Sequence, residues 1–298
     1  MPTTDDDLSD VTREAPAWSG STAVRLLIGV QLRKHREACG MDREQAGYAI
    51  RASASKLSRM EAGRTGFKAR DVADLLTLYG VSDEAERGTL LAMVEQANAP
   101  RWWQEYRDVI PDWFESYLGL EQDTCLIRTY AVHVVPALLQ TEDYARAVIS
   151  QSSPKPSPRQ VERRLALRTR RQRLLARPDA HRLWVVMDEA VLHRRVADDD
   201  VMDAQWEHLA RMAEQPHVSV QVLPFTSGGI VGGIGPVTIL RFPQQELSDV
   251  VCMEHLTTAQ YLTKSTDVLP YHVLMDQLSV AALPASATVA LARDLIGG

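Results

Sequence analysis

Across residues 23–38 the apolar side chains Val24, Leu27, Ile28 and Leu32, followed by His35, recur at three- and four-residue steps. Arg25, Arg33, Lys34 and Arg36 fall mostly between them. That period is one face of an amphipathic helix, and Gly40 stands where a helix-ending residue belongs. Asp42 with Gln45 three positions on forms a variant capping box, opening a second helix that reaches about Ile50. Ser53 caps a third over residues 54–62, closed by Gly63. Val72, Leu75, Leu76 and Tyr79 stripe a fourth, ended by Gly80, and Ser82 with Asp83 and Glu84 opens a fifth that stops at Asn98-Ala-Pro100. Short helices joined by short turns predict a compact all-α, five-helix domain over residues 21–99.

Beyond Pro100 the pattern changes. Apolar runs of strand length occupy residues 125–132, 183–187, 218–223, 237–242 and 250–253. Helical segments lie between some of them, at 141–150, 158–177, 199–214 and 257–279. Residues 100–298 are therefore expected to form a mixed α/β (α+β) domain, making the chain multi-domain. Residues 1–20 read as a disordered acidic lead.

Composition adds one contrast. At 298 residues, 45% hydrophobic and 24% charged, the chain is of ordinary globular make-up. No apolar run approaches the roughly 18 residues of a membrane span, and the acidic lead is the reverse of a signal peptide, so a cytoplasmic protein with no membrane partner is expected. Cys39, Cys125 and Cys252 are too scattered for a disulfide framework or a metal cluster. The net charge of −6 hides a division: residues 1–20 carry −4, residues 21–80 carry +5 and the remainder −7. A basic block in an acidic chain suits one module that meets phosphates.

Residues 43–60 carry the sharpest motif. A helix-turn-helix requires a small residue in its first helix, a turn, and apolar residues that lock the pair onto a third helix. Gly47, Ile50, Ala52, Leu57 and Met60 meet those needs. The outward face is then Ala54, Ser55, Lys56, Ser58 and Arg59, short or basic side chains suited to a groove. The run Ser53-Ala-Ser-Lys-Leu-Ser-Arg-Met-Glu-Ala-Gly-Arg64 resembles the recognition helix and following loop of the xenobiotic-response-element class, relatives of the lambda and 434 repressors. The resemblance covers residues 23–80 and implies a third helix in the major groove of double-stranded operator DNA, a geometry for which those repressors are the standard illustration. On that reading Ser53, Ala54 and Ser55 face bases and Arg59 reaches bases or backbone. Arg43, Arg64 and Lys68 grip phosphate, and Glu61 is a buried, loop-holding residue. One departure stands out: Arg51 occupies the turn position usually held by glycine at positive φ. One module makes few phosphate contacts, so a homodimer on a palindrome is expected.

In the larger domain the arginine-rich segment 159–177 reads as a solvated face with Val161, Leu165 and Leu175 turned inward, or as a surface for DNA backbone or an acidic protein. The glycine cluster over residues 228–235 is followed by Pro236 and a strand, which suits a flexible connection better than a phosphate loop. His133, Asp188, Glu189, His193, Cys252 and His255 lack the spacing of a metal or nucleophilic site, so no enzyme, cofactor or metal is expected. The aromatic residues Trp102, Trp103, Tyr106, Trp113, Phe114 and Tyr117 either pack the two domains together or form a ligand pocket or partner surface.

Several segments occur in order: Arg101-Trp-Trp, Ile110-Pro-Asp-Trp-Phe, Tyr117-Leu-Gly-Leu-Glu121, Val135-Pro-Ala-Leu-Leu-Gln-Thr-Glu-Asp-Tyr144, the arginine-rich 163–175, and 218–242. Together they are similar to a C-terminal domain of unknown function found in actinobacterial helix-turn-helix regulators, a group with antitoxin-like members. The resemblance implies a transcriptional regulator, expected to be a repressor, controlled through that domain by a small protein partner or a small-molecule effector. The alternative is an antitoxin-like protein that mainly neutralises a small partner and uses DNA binding for autoregulation.

Overall fold

The computed structural model describes residues 22–152, 154–176, 181–231 and 235–296. The acidic lead, Arg177 and the centre of the glycine cluster lie outside them.

Five helices open the chain: α1 (Thr22–Ala38), α2 (Arg43–Ala49), α3 (Ala54–Glu61), α4 (Ala69–Leu78) and α5 (Glu84–Asn98). The capping box at Asp42 forms, with Gln45 N donating to Asp42 Oδ1 at 2.7 Å and Asp42 N donating to Gln45 Oε1 at 3.1 Å. Ser53 Oγ accepts from Lys56 N at 3.1 Å and starts α3. The fifth helix is capped by Asp83 rather than Ser82, because the Asp83 carboxylate accepts from Ala85 N at 2.9 Å. Arg51 does take the strained turn conformation, with φ 53°, and among the described residues it is the one non-glycine at positive φ.

The helices close around Ile28, Leu32, Ala46, Leu57, Met60, Val72, Leu75, Leu76 and Val94, all fully buried. Two glycines set how closely backbones approach. A Cβ on Gly47 would stand 2.8 Å from the Ala52 carbonyl oxygen, so only glycine lets the turn fold back on α2. A Cβ on Gly29 would stand 2.5 Å from the Glu61 carbonyl oxygen, which puts α1 in backbone contact with α3.

The second half begins with a 3₁₀ turn, Trp102–Tyr106, and α6 (Asp112–Asp123), then β1 (Leu126–Ala131), α7 (Glu142–Ser150) and α8 (Pro158–Gln172). There follow β2 (Arg182–Asp188), α9 (Ala190–His193), α10 (Asp199–Ala213), β3 (Val218–Leu223), β4 (Val237–Arg241), β5 (Val250–Glu254), β6 (Ala259–Leu262), α11 (Ser265–Ala281) and α12 (Ala285–Asp294). One six-stranded sheet runs β3-β2-β1-β4-β5-β6. The first three strands are parallel and the last three antiparallel, joined where β1 pairs with β4. β2 is apolar on both faces, as an interior parallel strand requires. Two elements differ from expectation: β6 and the turn before α11 occupy the start of the segment read as helix from 257, and α6 rises out of the aromatic stretch.

Helices cover both faces. α11 seals one, with Val268, Met275 and Leu278 against Tyr130, Val186, Ile239 and Val251. α6, α7, α10 and α12 lie over the other, where Tyr117, Leu120, Tyr144, Trp206 and Ala292 join Ile127, Leu183, Val220 and Cys252. That second core also takes in Ala23, Leu26, Leu27 and Val30 of α1. Ala23 N donates to Asp123 Oδ2 at 3.2 Å across the same junction. α1 thus belongs to both cores. Among the described residues no single helix is long and apolar enough to cross a membrane, although α11 and α12, bent by 60°, pass that test as a pair.

Gly29→Ala should destabilise the protein by about 1–3 kcal/mol, because overpacking must push α1 away from α3. Gly88→Ala, in α5 with open space where its Cβ would lie, should instead stabilise by about 0.5–1 kcal/mol. Calorimetric melts of the two variants should shift in opposite directions.

Candidate nucleic-acid interface and the C-terminal cavity

Helix α3 buries Leu57, Met60 and Glu61 and turns the opposite side outward. Ser55 and Arg59 are exposed and Ala54 and Ser58 half-buried. Ser53 is exposed but its hydroxyl is occupied in capping. Lys56 sits toward α4, where its Nζ pairs with Asp71 Oδ2 at 2.9 Å. Arg43 is exposed along its stem, yet its Nε donates to Glu61 Oε2 at 3.0 Å. Arg64 is half-buried after α3 and Lys68 exposed at the start of α4. So the outer face presents Ser55 and Arg59, ringed by Arg64 and Lys68, while Lys56 and Arg43 are held by carboxylates of their own domain. Sequence reasoning did not single out Tyr48, 85% exposed beside Arg51 at the turn; its place off the Ala46, Gly47 and Ile50 face was the available signal.

Glu61 holds this face in position. Its carboxylate has no solvent access and receives Arg36 Nε on Oε1 at 2.5 Å and Arg36 Nη2 and Arg43 Nε on Oε2 at 3.2 and 3.0 Å. Burial alone would raise its pKa, but the hydrogen bonds from Arg36 and Arg43 outweigh burial and keep it below the usual carboxylate range. Arg36, itself buried, also donates to the Met41 carbonyl at 2.7 Å and so ties the end of α1 to the start of the helix-turn-helix.

In the C-terminal half the aromatic residues divide. Trp102, Trp103 and Tyr106 pack against α8 through Leu167. There the arginines stack on them: Arg163 over Tyr106 at 5.4 Å and Arg170 over Trp102 at 4.8 Å. Val161, Leu165 and Leu175 are buried as expected, but the arginine face is not simply solvated. Arg171 lies buried over Phe114 and Tyr117 and makes a two-pronged pair with Glu121 at 2.8 and 2.9 Å. The amphipathic reading assigned every arginine outward because it did not foresee aromatic faces and a carboxylate opposite.

Trp113, Phe114 and Tyr117, by contrast, line a cavity of about 900 Å³. Its floor is the sheet face bearing Thr129, Thr238 and Cys252 in one row across β1, β4 and β5. Its roof is α6 and α8. Small floor residues under long-reaching helices leave the space unfilled. Pro236 and Val237, after the glycine cluster, line it as well. Besides the Glu121–Arg171 pair, Asp108, Arg164, Arg168 and Glu254 line it. Arg168 donates to Gln140 Oε1, and burial, then the neighbouring Arg171, pushes its pKa down to about 10. Burial raises the Glu254 carboxyl, against the pull of Arg171.

Asp188 and Glu189 make hydrogen bonds within the fold. Asp188 accepts from Tyr130 Oη at 3.2 Å and from Ala190 N at 2.9 Å. Glu189 accepts from Phe225 N at 2.7 Å.

Glu61→Gln should cost about 3–5 kcal/mol, since Arg36 and Arg43, and Arg33 at 3.6 Å, lose their counter-charge. In the parent, a carboxyl held below its unfolded pKa of about 4.3 contributes stability above that pH and loses it as pH falls through the folded value. Urea melts between about pH 6 and pH 3 should therefore show a steeper acid loss in the parent than in Glu61→Gln.

Residues 27–90 match the Helix-turn-helix domain, and residues 114–294 match the Domain of unknown function (DUF5753). No curated protein and no solved structure matches the chain. The first match makes it a DNA-binding regulator. With that domain in front and the second match spanning more than half its length, the chain belongs to the family defined by the Domain of unknown function (DUF5753).

Proposed function

We propose that the protein is a sequence-specific transcriptional repressor of the xenobiotic-response-element class, of the actinobacterial type, acting as a homodimer on a palindromic operator and controlled by a small molecule. The observation that carries the DNA reading is the outward face of α3, where Ser55 and Arg59 stand exposed among basic neighbours on a helix fixed by Glu61. Short side chains at the tip let the helix approach the groove floor, and Arg59 has the reach and fork geometry for guanine. Arg64 and Lys68 supply backbone contacts, with Arg43 and Lys56 in reserve because intramolecular carboxylates compete for them. One such module gives few phosphate contacts, hence two copies on half-sites about one helical turn apart.

Control by a small molecule is favoured over control by a protein partner by the cavity beneath α6. Its size falls in the range of small-ligand sites, roughly 300–1,000 Å³. α6 offers Trp113, Phe114 and Tyr117 to the cavity and packs on α1, which touches α3 at Gly29. A ligand that prefers one placement of α6 therefore biases the placement of α3, and only such unequal preference shifts DNA affinity.

Sequencing of DNA bound by the purified protein supplies the operator. On that site Arg59→Ala should lose about 1–3 kcal/mol of specific affinity with little change on random DNA. Lys68→Ala should weaken both and reduce the salt slope by about one. Equal losses on both DNAs for Arg59→Ala, measured by fluorescence anisotropy, contradict the base-reading role.

A further inference from the structure

The cavity wall is mixed, and its charges are unevenly matched. Asp108, Glu121 and Glu254 line it, and each has an arginine. Asp108 accepts from Arg163 Nη2 at 2.5 Å, Glu121 takes the two-pronged pair with Arg171, and Glu254 is drawn by Arg171 and Arg168. Polar neighbours bond within the fold. Thr129 Oγ1 meets Thr238 Oγ1 at 3.0 Å, Gln140 Oε1 accepts from Arg168, and Ser152 Oγ donates to the Ile149 carbonyl at 2.7 Å. Arg164 is the exception. Its Nη1 donates to the Ser152 hydroxyl at 3.2 Å, its Nε is buried with no hydrogen-bond partner, and among the described residues no carboxylate pairs with it. Arg164, Arg168 and Arg171 recur at steps of four and three, so they share one face of α8, and all three line the cavity. Along that face compensation falls away: a two-pronged carboxylate at Arg171, a carboxylate beyond ion-pair distance at Arg168, a neutral hydroxyl at Arg164. With Asp108 held by Arg163, two carboxylates face three arginines and one positive charge is left over.

We propose that the cavity binds a monocarboxylic acid with an extended apolar body, its carboxylate on Arg164 and its chain running along α8 toward Trp113 and Phe114. A planar carboxylate matches the guanidinium fork, and a single negative charge matches the surplus, whereas a dianion meets repulsion from Glu254 and Glu121. Arg171 marks the apolar end, since its guanidinium lies 5.0 Å over the Phe114 ring. The helical rise from Arg164 to Arg171 is about 10 Å, the reach of a straight chain of roughly eight carbons. Leu167, Leu138 and Ile127 also line the cavity and offer apolar surface to such a chain. The volume of about 900 Å³ holds it with room for a longer one. The same acid acts as the effector, a step that rests on the regulatory reading above, whereas the binding site does not.

Isothermal titration of the full-length protein with octanoate, octanamide and butyrate tests this. Octanoate should bind about 10- to 100-fold more tightly than octanamide, the worth of one charge-assisted hydrogen bond. It should exceed butyrate by about 100-fold, because the longer chain withdraws more methylene surface from water. Arg164→Gln should bring octanoate down to the level of octanamide and leave octanamide itself unchanged. Arg159→Gln, at the exposed start of α8, should change neither. Should Arg164→Gln not fold, the three compounds on the parent still decide. No octanoate binding at about 5 mM overturns the proposal. So does equal affinity for octanoate and octanamide, for octanoate and butyrate, or for octanoate on the parent and on Arg164→Gln. Octanoate binding that leaves operator affinity unchanged upholds the site and removes its regulatory role.

Discussion

Glu61 is a carboxylate with nowhere to go but toward arginine. It lies at the end of the outward helix, with no solvent access, and Arg36 from α1 and Arg43 from α2 converge on it. An unpaired charge there would cost several kcal/mol, so the three helices that bring these groups together are obliged to keep one arrangement. The backbone contact at Gly29 makes that arrangement tight as well as charged. Everything the N-terminal domain offers to DNA is presented from this frame, including the strained Arg51 that lets the turn close.

The same helix that meets α3 also meets α6. Ala23, Leu26, Leu27 and Val30 sit in the core of the sheet domain, while Ile28 and Leu32 of the same helix sit in the core of the helical one. A helix is a stiff rod over this length, so displacement at one face is felt at the other. α1 thus stands between the helix over the cavity and α3, while the residues that line the cavity all lie between Asp108 and Thr257.

What reads directly from the chain is local. Caps such as Asp42 and Ser53 and the apolar period of each helix act within about one turn, and the family's glycine pattern made the positive φ at Arg51 an expectation. The strand runs were visible for a related reason: buried parallel strands leave little room for polar residues. β6, with only four residues and a glutamine among them, gave no such run and was absorbed into the helix that follows. α6 was hidden because its aromatic residues at Trp113, Phe114 and Tyr117 carry weak helix preference, overridden here by burial.

The arginine helix shows where such reading stops. Period and charge placed Val161 and Leu165 inward, which holds. They said nothing of what the arginines meet, since Tyr106, Trp102 and Glu121 lie some fifty or more residues earlier in the chain. The sequence by itself settled the identity of the helix-turn-helix and the two-part architecture, because short-range periodicity and capping are properties of neighbouring residues. Only the tertiary structure decided which basic side chains are spoken for, which aromatics open onto a cavity, and that α1 serves two cores, because each depends on groups that the chain separates and the fold brings within a few ångströms.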